Sequence, residues 1–194
     1  LDCFLDENKM QRKSVSSSDA PSLFGDADAA ASKSNLEKYC INKTDEARDG
    51  KLHAIVCRDK EIREMMSILG RRSKPNVMII GDAGVGKTAL ADGIAFDIVN
   101  GNVPTFLENT EVWELDCGAL IAGATYKGEI EDRLKNLINE LRQIDKVILF
   151  IDEIHILLDP KQGNTGAVNI LKPELSKGDL TVIGATTVDE YRKL

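Results

Sequence analysis

The sequence lacks any apolar run approaching the roughly 18–20 residues that a bilayer-spanning helix requires, so no membrane partner is expected. Its first residues, Leu1-Asp2-Cys3-Phe4, supply neither a basic n-region nor an apolar h-region, so no secretory signal is expected either. A cationic surplus is missing as well: 25 Lys+Arg stand against 32 Asp+Glu, a formal net charge of −7. Broad nucleic-acid binding needs the opposite balance, so no nucleic-acid partner is expected. The four cysteines, Cys3, Cys40, Cys57 and Cys117, contain no C-x-x-C and have no histidine at metal-ligand spacing. They read as free thiols in a reducing compartment. What the sequence does have is 42 % hydrophobic residues, enough for the core of one ordinary domain in 194 residues. Together these features predict a soluble, cytoplasmic protein. The chain opens at Leu1 and stops at Leu194 in mid-pattern, which reads as a piece of something longer.

Residues 1–34 show no sustained period of 2 or 3.6. Ser14, Ser16, Ser17 and Ser18 and the run Ala29-Ala30-Ala31 read as a disordered tail or interdomain linker. From Asn35 the text becomes regular. Asp59 is placed to cap a helix carrying Ile62, Met65, Met66 and Leu69 inward and stopping at Gly70. Val77-Met78-Ile79-Ile80 reads as a strand buried on both faces. A glycine-rich turn and a helix with Leu90, Ile94 and Ile98 inward follow, ending at Asn100-Gly101. Val112–Leu115 is a second strand, with Trp113 in the sheet packing. Ile130, Leu134, Leu137, Ile138, Leu141 and Ile144 form a helical stripe, and strands are expected at Val147–Ile151 and Leu180–Gly184. Strands alternating with helices predict an α/β fold with a parallel sheet covered on both sides.

The segment Gly81-Asp82-Ala83-Gly84-Val85-Gly86-Lys87-Thr88 matches G-x-x-x-x-G-K-[ST] in full, after a predicted strand and before a predicted helix. Glycines there permit backbone angles that a β-carbon would oppose, so the N–H groups can turn toward phosphate oxygens at the helix N-terminus. Lys87 would reach the β- and γ-phosphates of ATP or the terminal phosphate of ADP, and the Thr88 hydroxyl would ligate Mg²⁺. Ala89, the next residue of the helix, is grouped with this cofactor-binding set.

A nucleotide site also needs carboxylates for the metal and for water. Ile148-Leu149-Phe150-Ile151-Asp152-Glu153 ends an apolar strand with two of them, at the end where parallel sheets keep their ligand crevice. Asp152 is assigned to Mg²⁺ and Glu153 to the attacking water as general base. The Ile183-Gly184-Ala185-Thr186-Thr187 strand end offers a polar contact to the γ-phosphate, for which Thr186 and Thr187 are equal candidates by chemistry alone.

Leu36-Glu37-Lys38-Tyr39, Ala47-Arg48-Asp49-Gly50-Lys51-Leu52, the phosphate loop, Gly123-Ala124-Thr125-Tyr126-Lys127-Gly128-Glu129, the Asp152-Glu153 strand, Leu171-Lys172-Pro173 and Gly184-Ala185-Thr186-Thr187 occur in one order. In that order they resemble the first AAA+ ATPase module of the Clp unfoldase and disaggregase family, over about residues 35–194. The resemblance implies a P-loop αβα sandwich with a mostly parallel sheet, in which the P-loop strand lies beside the strand ending at Thr187. It implies Mg²⁺-dependent ATP hydrolysis in a homo-hexamer that threads unfolded or aggregated polypeptide through a pore. By that match Thr187 is the sensor residue, and Tyr126, with Lys127 and Gly128, is the pore loop that grips substrate. An aromatic side chain on such a loop can pack against any backbone. Gln162–Gly166 is the candidate second pore loop. A nucleotide-switched chaperone or a secretion-sheath remodeller with weak hydrolysis is the alternative, and a nucleic-acid AAA+ motor a more distant one.

Three departures qualify the resemblance. Where the family has D-P-[VI]-[IL]-G-R on the adenine side, this chain reads His53-Ala54-Ile55-Val56-Cys57-Arg58; Ile55 and Val56 still suit the base, but a Pro and a Gly are lost. The Leu158-Asp159-Pro160-Lys161-Gln162-Gly163 segment is shorter and less glycine-rich than usual. Tyr191-Arg192 stands close to the chain end, before the family's arginine finger and helical lid, so this piece is expected to bind nucleotide yet hydrolyse it poorly.

Overall fold

The computed structural model describes residues 33–193 other than 125, 127, 159–164 and 179. The tail expected over 1–34 therefore falls outside the described residues except at its end, where Ser34 already belongs to the fold. Its hydroxyl accepts from the Glu37 N–H and the Glu37 carboxylate accepts from the Ser34 N–H, a reciprocal cap that starts helix α1 (Asn35–Tyr39).

The chain continues through β1 (Cys40–Asn42), α2 (Lys43–Arg48), α3 (Asp59–Leu69), β2 (Val77–Ile80) and α4 (Lys87–Val99). Then come β3 (Glu111–Leu115), α5 (Cys117–Ile121), α6 (Glu129–Leu141), β4 (Val147–Ile151), α7 (His155–Leu158), α8 (Thr165–Lys177), β5 (Thr181–Thr186) and α9 (Val188–Tyr191). Among the described residues the strands form one five-stranded sheet in the order β1-β3-β4-β5-β2. Pairing is parallel except for β1, which runs antiparallel to β3 with Cys40 opposite Leu115. The expected neighbour relation holds, because Ile80 of the P-loop strand pairs with Thr186 of β5.

Alternation along β4 splits the core into two layers. Ile148 and Phe150 face α3 and α4, packing with Ile62, Met65, Leu90 and Ile94. Leu149 and Ile151 face the other side, among Leu120, Leu134, Leu137, Leu157 and Leu171. This is the three-layer αβα sandwich that the alternation of strand and helix patterns predicts.

The structure adds one strand and corrects three expectations. The edge strand β1 escaped the sequence reading; it is three residues long, with only Cys40 buried and Asn42 serving as N-cap of α2 through a bond from the Asp45 N–H. β2 is not buried on both faces. Val77 and Ile79 pack into the core, whereas Met78 and Ile80 are 40 % and 42 % exposed, because among the described residues β2 is the edge strand and Ile154, Leu158 and Leu175 only line an open pocket beside Met78. Helix α3 is not capped by Asp59, which is its first helical residue; Arg58 holds the cap position without a side-chain bond. An acid in that first turn still complements the helix dipole. Finally, β5 starts at Thr181 and runs on to Thr186, beyond the expected Gly184.

Candidate functional site

The phosphate-binding turn follows β2 at the carboxyl end of the sheet and opens α4. Asp82, Ala83, Gly84, Val85 and Gly86 are all exposed, so the loop presents an open rim. Gly84 and Gly86 take φ of 78° and 89°, the left-handed region that a β-carbon disfavours. Gly86 is the N-cap residue of α4 without a side-chain cap, which leaves the first N–H groups of that helix available to an anion. At Gly81 a β-carbon would come within 3.1 Å of the Val85 side chain, so the glycine lets the loop fold over itself.

Lys87 is only 8 % exposed and lies against this loop. Its Nζ donates to the carbonyls of Gly81 and Asp82, each at 3.0 Å. Two of its three donors thus fix the ammonium at the loop mouth, where the third can meet a phosphate. The next residue reaches across the sheet: Thr88 Oγ1 donates to Asp152 Oδ2 at 2.6 Å, joining positions 64 residues apart. A hydroxyl beside a carboxylate is a hard oxygen pair, the chemistry that suits Mg²⁺ together with nucleotide phosphates. Ala89 is half-buried one turn behind the loop.

Asp152 is held from several directions. Its Oδ1 accepts from the Glu153 N–H at 2.9 Å, and its carbonyl accepts a 3.6 Å contact from the Cys117 thiol. Burial, with the nearby acids Asp116 and Asp152 adding to it, pushes that thiol up to about 12, so Cys117 stays protonated and can donate. Glu153 has φ of 52°, an unusual angle for a residue with a β-carbon and a cost of about 1–3 kcal/mol. The bond from its N–H to Asp152 and the one from the Ile154 N–H to Ala185 O, at 3.0 Å, hold it there. The strained turn carries Glu153 out of the sheet line, beside Asp152.

His155 follows the two carboxylates, and its ring meets two of the candidate site residues. Nδ1 lies 3.1 Å from the Thr186 hydroxyl and Nε2 lies 3.3 Å from Glu153 Oε2. The ring therefore stands between β5 and the candidate base. Thr186 is fully buried on this histidine, whereas Thr187 is half-buried, and its hydroxyl accepts from the Glu190 N–H to cap α9. The two threonines that chemistry alone could not separate thus differ in access.

On the adenine side, the segment without Pro and Gly keeps a glycine-like backbone: Cys57 takes φ of 66°. Arg58 Nη2 donates to Val85 O at 2.9 Å and ties the segment to the phosphate loop. Ile55 packs toward α3 and α4, with its side chain against Gly93, while Val56 is 80 % exposed. Tyr126 lies elsewhere, 60 % exposed in the turn before α6, with Gly128 as the N-cap residue of that helix. Lys127 and residues 162–164 of the candidate second loop are outside the described residues; Thr165 and Gly166 begin α8.

Residues 77–193 match the profile of the ATPase family associated with various cellular activities (AAA). Chaperone protein ClpB of Porphyromonas gingivalis is 55 % identical over 161 residues, which is 81 % of this chain and 19 % of that protein. Chloroplastic chaperone protein ClpC1 of Arabidopsis thaliana is 51 % identical over 160 residues, 81 % of this chain and 17 % of that one. The chain thus spans about one fifth of the length of the curated relatives it matches. Two structures of Saccharomyces cerevisiae Hsp104 share the fold at 47 % identity. One is a casein complex (TM-score 0.73; 82 % of this chain, 27 % of that one) and the other an ADP complex (TM-score 0.74; 81 % and 22 %).

Proposed function

Because the chain belongs to the ATPase family associated with various cellular activities, as a Clp-type AAA+ module, we propose that it binds ATP with Mg²⁺ and hydrolyses it to thread polypeptide. The observation that carries the proposal is the 2.6 Å contact of Thr88 with Asp152, with Lys87 seated at the loop mouth and Glu153 beside it. A nucleoside di- or triphosphate with a divalent cation would use all of these groups at once.

In this reading the loop N–H groups of residues 81–89 and the Lys87 ammonium bind the triphosphate or diphosphate, and Ile55 and Val56 flank the base. Thr88 and Asp152 would hold Mg²⁺, which supplies charge neutralisation on the phosphates. Glu153 takes the proton from the attacking water. Thr187, the accessible one of the two threonines, reads the γ-phosphate from the end of β5. Residues 35–194 are the large ATPase subdomain, in a cytoplasmic homo-hexamer, with residues 1–34 as tail or linker. The yeast relative solved with casein and with ADP supports a polypeptide substrate and an adenine nucleotide.

Tyr126, exposed between Gly123 and Gly128, is the residue that would grip the chain being threaded, with Lys127 and Gly128 completing its loop. In the complete protein, Tyr126→Ala is expected to leave ATP hydrolysis within about twofold of wild type, since it does not touch the nucleotide. Unfolding of a folded fluorescent reporter should fall sharply in the same preparation. Unaltered unfolding would point instead to a nucleotide-switched chaperone that does not thread.

A further inference from the structure

An exposed aromatic can pull on a substrate only if the two stems of its loop are anchored. Gly123 takes φ of 67° and Gly128 takes φ of 102°, and Gly128 caps α6 without a side-chain bond. Backbone bonds close each end, from the Ala124 N–H to Ile121 O at 3.3 Å and from the Glu129 N–H to Tyr126 O at 3.2 Å, and one side chain bridges the two ends.

Arg133 lies on α6, one turn after Glu129, with its side chain largely buried. Its Nη1 donates to Leu120 O at 2.7 Å and to Ala122 O at 2.8 Å. These are carbonyls at the C-terminal end of α5, where the helix has no partners of its own and a cation complements the dipole. Its Nη2 donates to Glu129 Oε1 at 2.6 Å, on the far side of the loop. The guanidinium also sits over the Tyr39 ring of α1, 5.5 Å from its centre. One planar cation therefore joins the residue that enters the loop, the residue that leaves it and the neighbouring helix.

We propose that Arg133 is the positioning residue of the Tyr126 loop: it clamps both stems so that a movement of α6 reaches the substrate-gripping side chain. The proposal rests on the reading of Tyr126 as that side chain. Packing alone does not account for these bonds. Leu120 and Leu134 already join α5 to α6 as fully buried residues, and the polar bonds of Arg133 go to the loop ends. Lysine would not substitute, because a single ammonium lacks the fork that reaches two carbonyls and a carboxylate together.

The test uses the complete protein with Arg133→Ala, Arg133→Lys and, as reference, Tyr126→Ala. Loss of one charge-assisted bond should speed amide exchange in 120–129 by about 10- to 100-fold, with exchange in β4 and α4 unchanged. ATP hydrolysis should stay within about twofold of wild type, and reporter unfolding should fall toward the Tyr126→Ala level in both arginine variants. Arg133→Lys retains the positive charge and most of the side-chain volume, so it tests the fork even where Arg133→Ala does not fold. Wild-type exchange in 120–129 in Arg133→Lys overturns the proposal. So does wild-type unfolding by Arg133→Lys when Tyr126→Ala unfolds poorly. If Tyr126→Ala itself unfolds normally, the threading reading is the one that fails, and loop exchange alone judges the clamp.

Discussion

Lys87→Ala is expected to remove nucleotide binding. The ammonium is buried at the loop mouth and fixed there by the Gly81 and Asp82 carbonyls, so it reaches a phosphate without having to be ordered on binding. Truncating one side of a buried, hydrogen-bonded charge pair costs about 2–5 kcal/mol, or roughly 30- to 4,000-fold in affinity. Calorimetric titration of the chain with ATP and Mg²⁺ measures this directly, with a circular dichroism spectrum to show that the variant is folded. An unchanged affinity would refute the assignment of the loop.

Glu153→Gln is expected to separate binding from hydrolysis. The amide keeps the size of the carboxylate and can still meet His155, but it no longer accepts a proton from water. In the complete protein kcat should fall by about 10²–10⁴-fold, the worth of a positioned general base. ATP affinity should remain within about threefold, because the carboxylate acts in the transition state and not on the bound nucleotide. A parallel loss of binding would mean that Glu153 holds the metal, and a normal kcat would mean that another group activates water.

The parts of this site that were legible in the sequence are those whose chemistry is written in consecutive residues. The eight-residue phosphate loop and the Asp152-Glu153 strand end each carry residue type, spacing and flanking strand in one short stretch, and the structure brings them to a 2.6 Å contact. The helix stripes at Ile62–Leu69 and Ile130–Leu141 were equally plain, since a 3.6-residue period needs no knowledge of the partner, although Ile144, expected in the second stripe, lies past the end of α6. What escaped was set by distant contacts. β1 is too short and too polar to show a period, and it is a strand because β3 pairs with it. The exposure of Met78 and Ile80 depends on what stands beside β2, which an apolar run cannot reveal. The roles of His155 and Arg133 lie in their partners, Thr186 and Glu153 for one, and Leu120, Ala122 and Glu129 for the other. Cys57 is instructive in a different way. Replacing the family's glycine suggested an altered adenine side, yet the cysteine takes the left-handed angle that the glycine would supply, while Arg58 ties the segment to Val85.

The central claim is that nucleotide held between Lys87 and Asp152 puts the Tyr126 loop onto a polypeptide. A photo-cross-linking amino acid at position 126, in the complete protein carrying Glu153→Gln and loaded with ATP, tests it in one measurement. The expected result is a nucleotide-dependent cross-link to an unfolded substrate such as casein, abolished when Lys87→Ala is added. Cross-links that ignore nucleotide, or none to substrate while ATP is bound, would contradict the account.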